Sequence, residues 1–205
     1  MARGSVLLER ALRRAVYCVV RWVPPRGKGL RLASMVDARW PPTSRLYGGR
    51  LVGGARLQCD LRDPVQRAVF YCGTYEPAIT RLIKQELRRG DTFVDVGANV
   101  GYFSFLAAAR VGPSGRVVAF EPAGDLSQRL RLSAARPTHR ARRRGVAAIE
   151  VHDVALSDRG GVAILRSAAD HRNGERFLAP GGAGDQVRTV ALAEYLPDLV
   201  PDVMK

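Results

Sequence analysis

Three cysteines, three histidines and very little lysine are the first things this 205-residue chain shows by their scarcity. Cys18, Cys59 and Cys72 form no C-x-x-C pair and are odd in number. They therefore suggest neither a disulfide framework nor a zinc site, and a reducing, cytoplasmic setting fits them best. Long apolar runs are missing as well. In the N-terminal segment the uninterrupted run is only Ala15 to Val20, far short of the about 20 residues that span a bilayer. No small-x-small cleavage site follows it, so the segment reads poorly as a signal peptide. Of 33 basic residues only Lys28, Lys84 and Lys205 are lysine, and the net charge is +14 with a pI of about 10.9. So one-sided a preference for Arg, alongside abundant Ala and Gly, reads as coding bias before it reads as a nucleic-acid or anionic-membrane site; charge speaks to solution behaviour, not to fold.

What is present is ordinary globular material. Hydrophobic residues make up 46% and charged residues 25%, enough for one domain with a real core plus an N-terminal extension. In residues 1–23, Arg3, Arg10, Arg14 and Arg21 share one helical face, and Leu7, Leu8, Leu12, Ala15, Val16, Val19 and Val23 fill much of the rest. This predicts an amphipathic helix ended by Pro24-Pro25. Such a helix suits either packing on its own domain, the commoner outcome, or peripheral contact with an anionic membrane. Residues 24–50, rich in Pro, Gly and Arg, read as an irregular linker, which makes 1–50 an extension and 51–205 the domain. Leu51 to Leu61 and Gln66 to Cys72 predict a small β element turning at Asp63-Pro64.

From Gly73 the pattern becomes regular. Pro77 opens a helix carrying Ile79, Leu82, Ile83 and Leu87, with Gly90 beyond its end. Strands at Thr92–Val96, Arg116–Phe120 and Ala147–Leu156 alternate with helices at Val100–Arg110 and Leu126–Ala135. That alternation predicts an α/β fold with a parallel sheet. The Arg-rich segment 136–145 carries no interleaved aromatic residue for base stacking and reads as a solvated insertion rather than an RNA-binding loop. A short strand is expected at Val162–Leu165, loop over 167–186, a strand at Val187–Leu192, one helical turn at Ala193–Leu196, and a strand beginning at Pro201–Lys205.

The chemistry concentrates in Asp95-Val96-Gly97-Ala98-Asn99-Val100-Gly101-Tyr102, where a buried strand enters a glycine turn and a helix follows. In a sheet of this kind a ligand sits beyond the carboxyl ends of the strands. A dinucleotide fingerprint would need glycine where Asn99 and Tyr102 stand, and a P-loop would need Gly-Lys-Ser/Thr, so neither phosphate cradle is present. Glu121 closes the next strand, about 20 residues beyond the turn, where an acidic side chain suits a ribose diol. A ribose-bearing cofactor without phosphates fits this pair, and S-adenosylmethionine is the commonest. Asp95 is expected to place negative charge near its cationic methionine end.

The same segment, with Gly115-Arg116-Val117-Val118-Ala119-Phe120-Glu121-Pro122, Gly73-Thr74-Tyr75-Glu76-Pro77 and Ala155-Leu156-Ser157-Asp158, resembles the FkbM family of S-adenosylmethionine-dependent methyltransferases over roughly residues 66–205. The resemblance implies a Rossmann-like class I methyltransferase sheet of seven strands behind an N-terminal helical/β extension. It also implies methyl transfer to a hydroxyl oxygen of a sugar, glycolipid or natural product, that is, a small-molecule or glycan acceptor. By position, Asp95, Gly97, Ala98, Asn99, Gly101 and Tyr102 would lie at the methionine end, Glu121 and Pro122 at the ribose, and Asp153, Ala155 and Leu156 at the adenine; Glu76 would face cofactor or substrate, or cap its helix. This chain has Leu192-Ala193 where the family has Leu-Asp, which removes a helix cap, and it stops at Lys205 where the family continues along its fourth strand. The resemblance therefore implies a sheet incomplete at the C-terminus, with the Asp95 strand as a largely unpaired edge. His139, His152, His171 and Asp153 are the candidate bases, and none stands out; His152 reads as strand packing. An RNA methyltransferase and a non-catalytic fragment remain as alternatives.

Overall fold

The computed structural model describes residues 11–13, 15–16, 18–19, 26–39, 41–42, 46–48, 56–136, 141, 143, 145–167, 176–179 and 181–205. Its elements in chain order are α1 (Arg26–Arg39), β1 (Leu46–Gly48), β2 (Gln58–Asp60), α2 (Pro64–Cys72), α3 (Pro77–Glu86), β3 (Thr92–Val96), α4 (Tyr102–Val111), β4 (Arg116–Phe120), α5 (Gly124–Ala134), β5 (Ile149–His152), β6 (Ala155–Leu156), β7 (Gly161–Ser167), β8 (Arg176–Ala179), β9 (Asp185–Val190), α6 (Leu192–Tyr195) and β10 (Val203–Met204). The described part of residues 11–19 is helical too.

The centre is a four-stranded, all-parallel sheet in the order β10-β3-β4-β5. β4 holds Val117, Val118, Ala119 and Phe120 without exposure, as a strand covered on both faces must. Val117 and Ala119 join Phe93 in the larger core beneath α4, while Val118 and Phe120 join Val94, Val154, Val190 and Leu199 in a smaller one on the opposite face. α4 packs on β3 and β4, and α5 on β5. This is the Rossmann-like α/β arrangement that the strand–helix alternation implies. β3 and β4 match their sequence-predicted limits residue for residue.

Five expectations are corrected. Residues 24–50 are not an irregular linker throughout: Arg26–Arg39 is a helix, and Ala33, Tyr47 and the earlier Val16 lie in the same core cluster as the main domain. Gln66–Cys72 is helix, not strand. Asp63 caps it by accepting from Gln66 N at 3.1 Å, Gln66 Nε2 returns to Asp63 Oδ2 at 2.7 Å, and Pro64 takes the first turn. Ala147–Leu156 does not run as one strand: β5 belongs to the parallel sheet and β6 crosses to a second, mixed sheet ordered β6-β9-β7-β8. The 167–186 stretch is not all loop, since Arg176–Ala179 pairs antiparallel with β7. Finally, β3 is not an open edge. Met204 pairs with Val94 and Val203 with Phe93, and Asp202 N, Lys205 N and Val96 N extend that hydrogen bonding along the whole strand.

Candidate functional site

The glycine turn after β3 is shaped by its own backbone. Gly97 has φ +69° and Asn99 φ +53°, the left-handed region that glycine and, among other residues, asparagine tolerate best. Asn99 offsets the strain locally, its Oδ1 accepting from Val100 N at 2.7 Å. Gly97 N and Ala98 N both donate to Phe120 O, at 2.9 and 3.0 Å, so the turn is pinned to the end of β4. That linkage sets Glu121 against it.

Glu121 is only 6% exposed, and each carboxylate oxygen has a backbone partner: Oε2 accepts from Asn99 N at 2.7 Å and Oε1 from Ala123 N at 2.9 Å. Burial pushes this carboxyl above the usual range, while the two N–H donors and Arg176 pull it back. An ionised carboxylate can accept about four hydrogen bonds, so two further acceptor positions remain for a ligand. A cleft of about 280 Å³ opens beside it, lined by Gly97, Asn99, Glu121 and Pro122 on the turn side and by Leu126, Val154, Ala155, Leu156, Leu165 and Leu178 among the apolar walls. Small-molecule sites commonly begin near 300 Å³, so this one suits a nucleoside-sized group.

Six of the sequence-predicted residues therefore converge: Gly97, Asn99, Glu121, Pro122, Ala155 and Leu156. The others stand elsewhere. Asp95 is fully buried and turned toward α4, where Ser104 Oγ donates to its Oδ2 and Lys205 Nζ lies 3.8 Å from its Oδ1. It does not face the cleft, because alternate residues of β3 point to opposite faces and Val96 takes the cleft side. Gly101 is a packing glycine: a Cβ there would overlap Leu130 Cδ1 and meet the Phe105 ring. Ala98 and Tyr102 are buried. The Tyr102 hydroxyl lies 3.1 Å from Thr80 Oγ1 and donates to Thr74 Oγ1 at 3.2 Å, which ties the Gly73–Pro77 motif to the start of α4. Glu76 is exposed with φ +42°, and its side chain makes no cap on α3, so the capping alternative fails. Asp153 is 62% exposed and accepts from Arg131 at 3.1 Å.

His152 stacks on Phe120 with centroids 5.1 Å apart, Nδ1 3.1 Å from Tyr195 Oη, and so packs its strand as expected. His139 and His171 lie outside the described residues.

The residues that sequence reasoning missed come from α2, α5 and the mixed sheet: Val65, Leu126, Leu165, Arg176 and Leu178. Among the described residues, Arg176 is the only titratable lining residue besides Glu121. A four-residue strand between glycine-rich segments carries no usable periodicity, so nothing local pointed to it. Cys59, by contrast, is buried away from the cleft lining, and burial pushes its thiol up to about 12, which leaves it unreactive. Among the described residues no helix is long and apolar enough to cross a membrane.

No protein-family model matches the chain, and no curated protein does. Nine chains of solved structure match. One is a candidate rRNA methylase from Clostridium thermocellum, 19% identical, with a TM-score of 0.33 over 38% of this chain and 40% of that one. Another is wild-type Trm5b from Pyrococcus abyssi, 17% identical, with a TM-score of 0.35 over 56% of this chain and 31% of that one. The chain thus matches less than half the length of either protein, and a likeness this distant fixes neither activity nor substrate.

Proposed function

We propose that the cleft binds the nucleoside part of S-adenosylmethionine and that the chain is a class I methyltransferase. Following the FkbM resemblance, its acceptor is a hydroxyl oxygen on a sugar, glycolipid or natural product. The observation that carries the reading is Glu121: a buried carboxylate at the carboxyl end of β4, held by Asn99 N and Ala123 N, facing an apolar cleft.

The donor set fits this cofactor. Two free acceptor positions on Glu121 suit a vicinal diol, and Leu126, Val154, Leu156, Leu165 and Leu178 suit a flat base and exclude water from it. An added Cβ at Gly97 would meet nothing within 4 Å, so the turn leaves open space on its ligand side. When bound, the cofactor supplies an electrophilic methyl group on sulfur. The chain's own contribution is to orient it: Glu121 fixes the ribose, the apolar walls fix the base, and the turn limits where the remainder can extend. Glu121 is committed to holding the ribose and Arg176 cannot accept a proton at neutral pH, so among the described residues neither titratable group of the lining serves as the acceptor's base.

Calorimetric titration with S-adenosylmethionine tests this. The wild-type chain should bind saturably, and Glu121→Gln, which keeps the shape and loses the charge, should raise Kd at least about tenfold, the equivalent of one charge-assisted hydrogen bond. Wild-type affinity in a folded Glu121→Gln variant would remove the assignment.

A further inference from the structure

The mixed sheet turns one face to the cleft and the other outward. Side chains alternate along each strand. Leu165, Arg176 and Leu178 line the cleft, which leaves Val162, Ile164, Arg166, Phe177, Gln186 and Arg188 on the outward face. Strand register orders them: Phe177 stands opposite Arg166, Ile164 opposite Gln186 and Val162 opposite Arg188. Val162 is 70% exposed and Phe177 47%. Ile164 is half-buried, and Arg166, Gln186 and Arg188 are exposed. Arg188 lies over the Tyr195 ring, 5.5 Å from its centroid. No Asp or Glu takes an outward position on the described residues of these strands, since Asp185 alternates with Gln186 onto the cleft side.

The solvated face of an antiparallel sheet is ordinarily polar. Here apolar and cationic side chains face each other across the strands, and contiguous exposed apolar groups mark a contact surface. Charge complementarity calls for an anionic partner, and Val162, Ile164 and Phe177 call for one with apolar material just beneath its charges. A single-stranded nucleic acid would stack bases on Phe177, but Val162 and Ile164 offer it no aromatic plane. A bilayer with anionic headgroups supplies both halves.

We infer that the outward face of β7, β8 and β9 is a docking surface for an anionic lipid bilayer. Phe177 and Val162 enter the interfacial layer, while Arg166 and Arg188 reach the phosphate headgroups on their long stems. The net charge of +14 draws the whole chain toward such a surface. The inference does not depend on what the cleft binds. Docking leaves the cleft lining uncovered, because that lining occupies the opposite face of the sheet.

Flotation tests this. The full chain is mixed with vesicles of phosphatidylcholine alone, or of phosphatidylcholine and phosphatidylglycerol in equal parts, over a series of lipid concentrations. Wild type should float with the mixed vesicles and stay behind with phosphatidylcholine alone. Val162→Gln/Phe177→Gln leaves the charge unchanged and should raise the half-saturating lipid concentration at least about tenfold. Arg166→Gln/Arg188→Gln should raise it by a similar factor. Arg81→Gln/Lys84→Gln removes the same charge from exposed positions of α3 and should change it less than about threefold.

A wild-type chain that ignores the mixed vesicles would overturn the inference. So would undiminished flotation of Val162→Gln/Phe177→Gln, which would place the contact elsewhere, for example in residues 1–23. Equal losses from the two charge-removing variants would reduce the effect to net charge and overturn it as well. Binding to oligouridylate that weakens in both face variants, with vesicles ignored, would overturn it in favour of a nucleic-acid platform. Urea midpoints check that each variant folds. Should the apolar double variant not fold, Phe177→Gln alone and the contrast between the two charge-matched variants still decide the matter.

Discussion

At the scale of single residues, the glycine turn separates two roles that look identical in the sequence. Gly97 borders open cleft, whereas Gly101 is pressed against Leu130 and Phe105 at φ +87°. Gly101→Ala combines overpacking with left-handed strain and should cost about 2–4 kcal/mol, read as a lowered urea midpoint with unchanged slope. Gly97→Ala carries only the conformational part, about 1–2 kcal/mol. Asp95 makes a second test. Burial raises its carboxyl, while Lys205 and Ser104 lower it. Because the folded state holds that proton more tightly than the unfolded chain does, its contribution is complete below about pH 4 and is lost as pH rises through the folded value. Unfolding free energies of wild type and Asp95→Asn should therefore diverge in favour of the variant as pH rises above about 4. Divergence in favour of the wild type would mean that the Lys205 pair outweighs burial.

At the scale of elements, legibility followed length and context. β3 and β4 were readable because short, mostly apolar runs, bounded by Gly90 and Gly97 and by Gly115 and Pro122, fit strands covered on both faces. α2 was misread although its start signal, Asp63-Pro64 followed by Gln66, was present. Val65 to Cys72 is too short and too apolar for periodicity to separate strand from helix, so the cap was the better evidence. α1 was illegible for another reason. Its two glycines argue against a helix locally, and tertiary contacts hold it: Asp37 takes Arg13 from the preceding helix, and Arg67 of α2 at 3.5 Å. Arg13 is 1% exposed and also donates to Tyr71 Oη at 3.2 Å. Arg13→Met leaves a buried carboxylate short of its main partner and should cost about 3 kcal/mol. The double variant Arg13→Met/Asp37→Leu should regain a substantial part of that in the same urea experiment, since an apolar pair of similar volume carries no desolvation penalty.

At the scale of the whole molecule, the cleft is a product of two sheets rather than of one motif. Its turn side, from Val96 to Pro122, belongs to the parallel sheet and was visible as Gly97, Asn99 and Glu121 in order and spacing. Its outer wall, Leu165, Arg176 and Leu178, comes from the mixed sheet, whose strands are brought there only when β6 leaves the parallel sheet and pairs with β9. Half of the site was thus legible, because it is local in sequence, and half was not, because long-range pairing assembles it. Backbone amide chemical shifts, followed while the chain is titrated with S-adenosylmethionine, test the central claim most directly. The account predicts saturable changes largest at Asn99 and Ala123, the two N–H groups bound to Glu121, with smaller ones at Gly97, Ala155 and Leu156. Saturable changes centred elsewhere, with Asn99 and Ala123 unmoved, would contradict it.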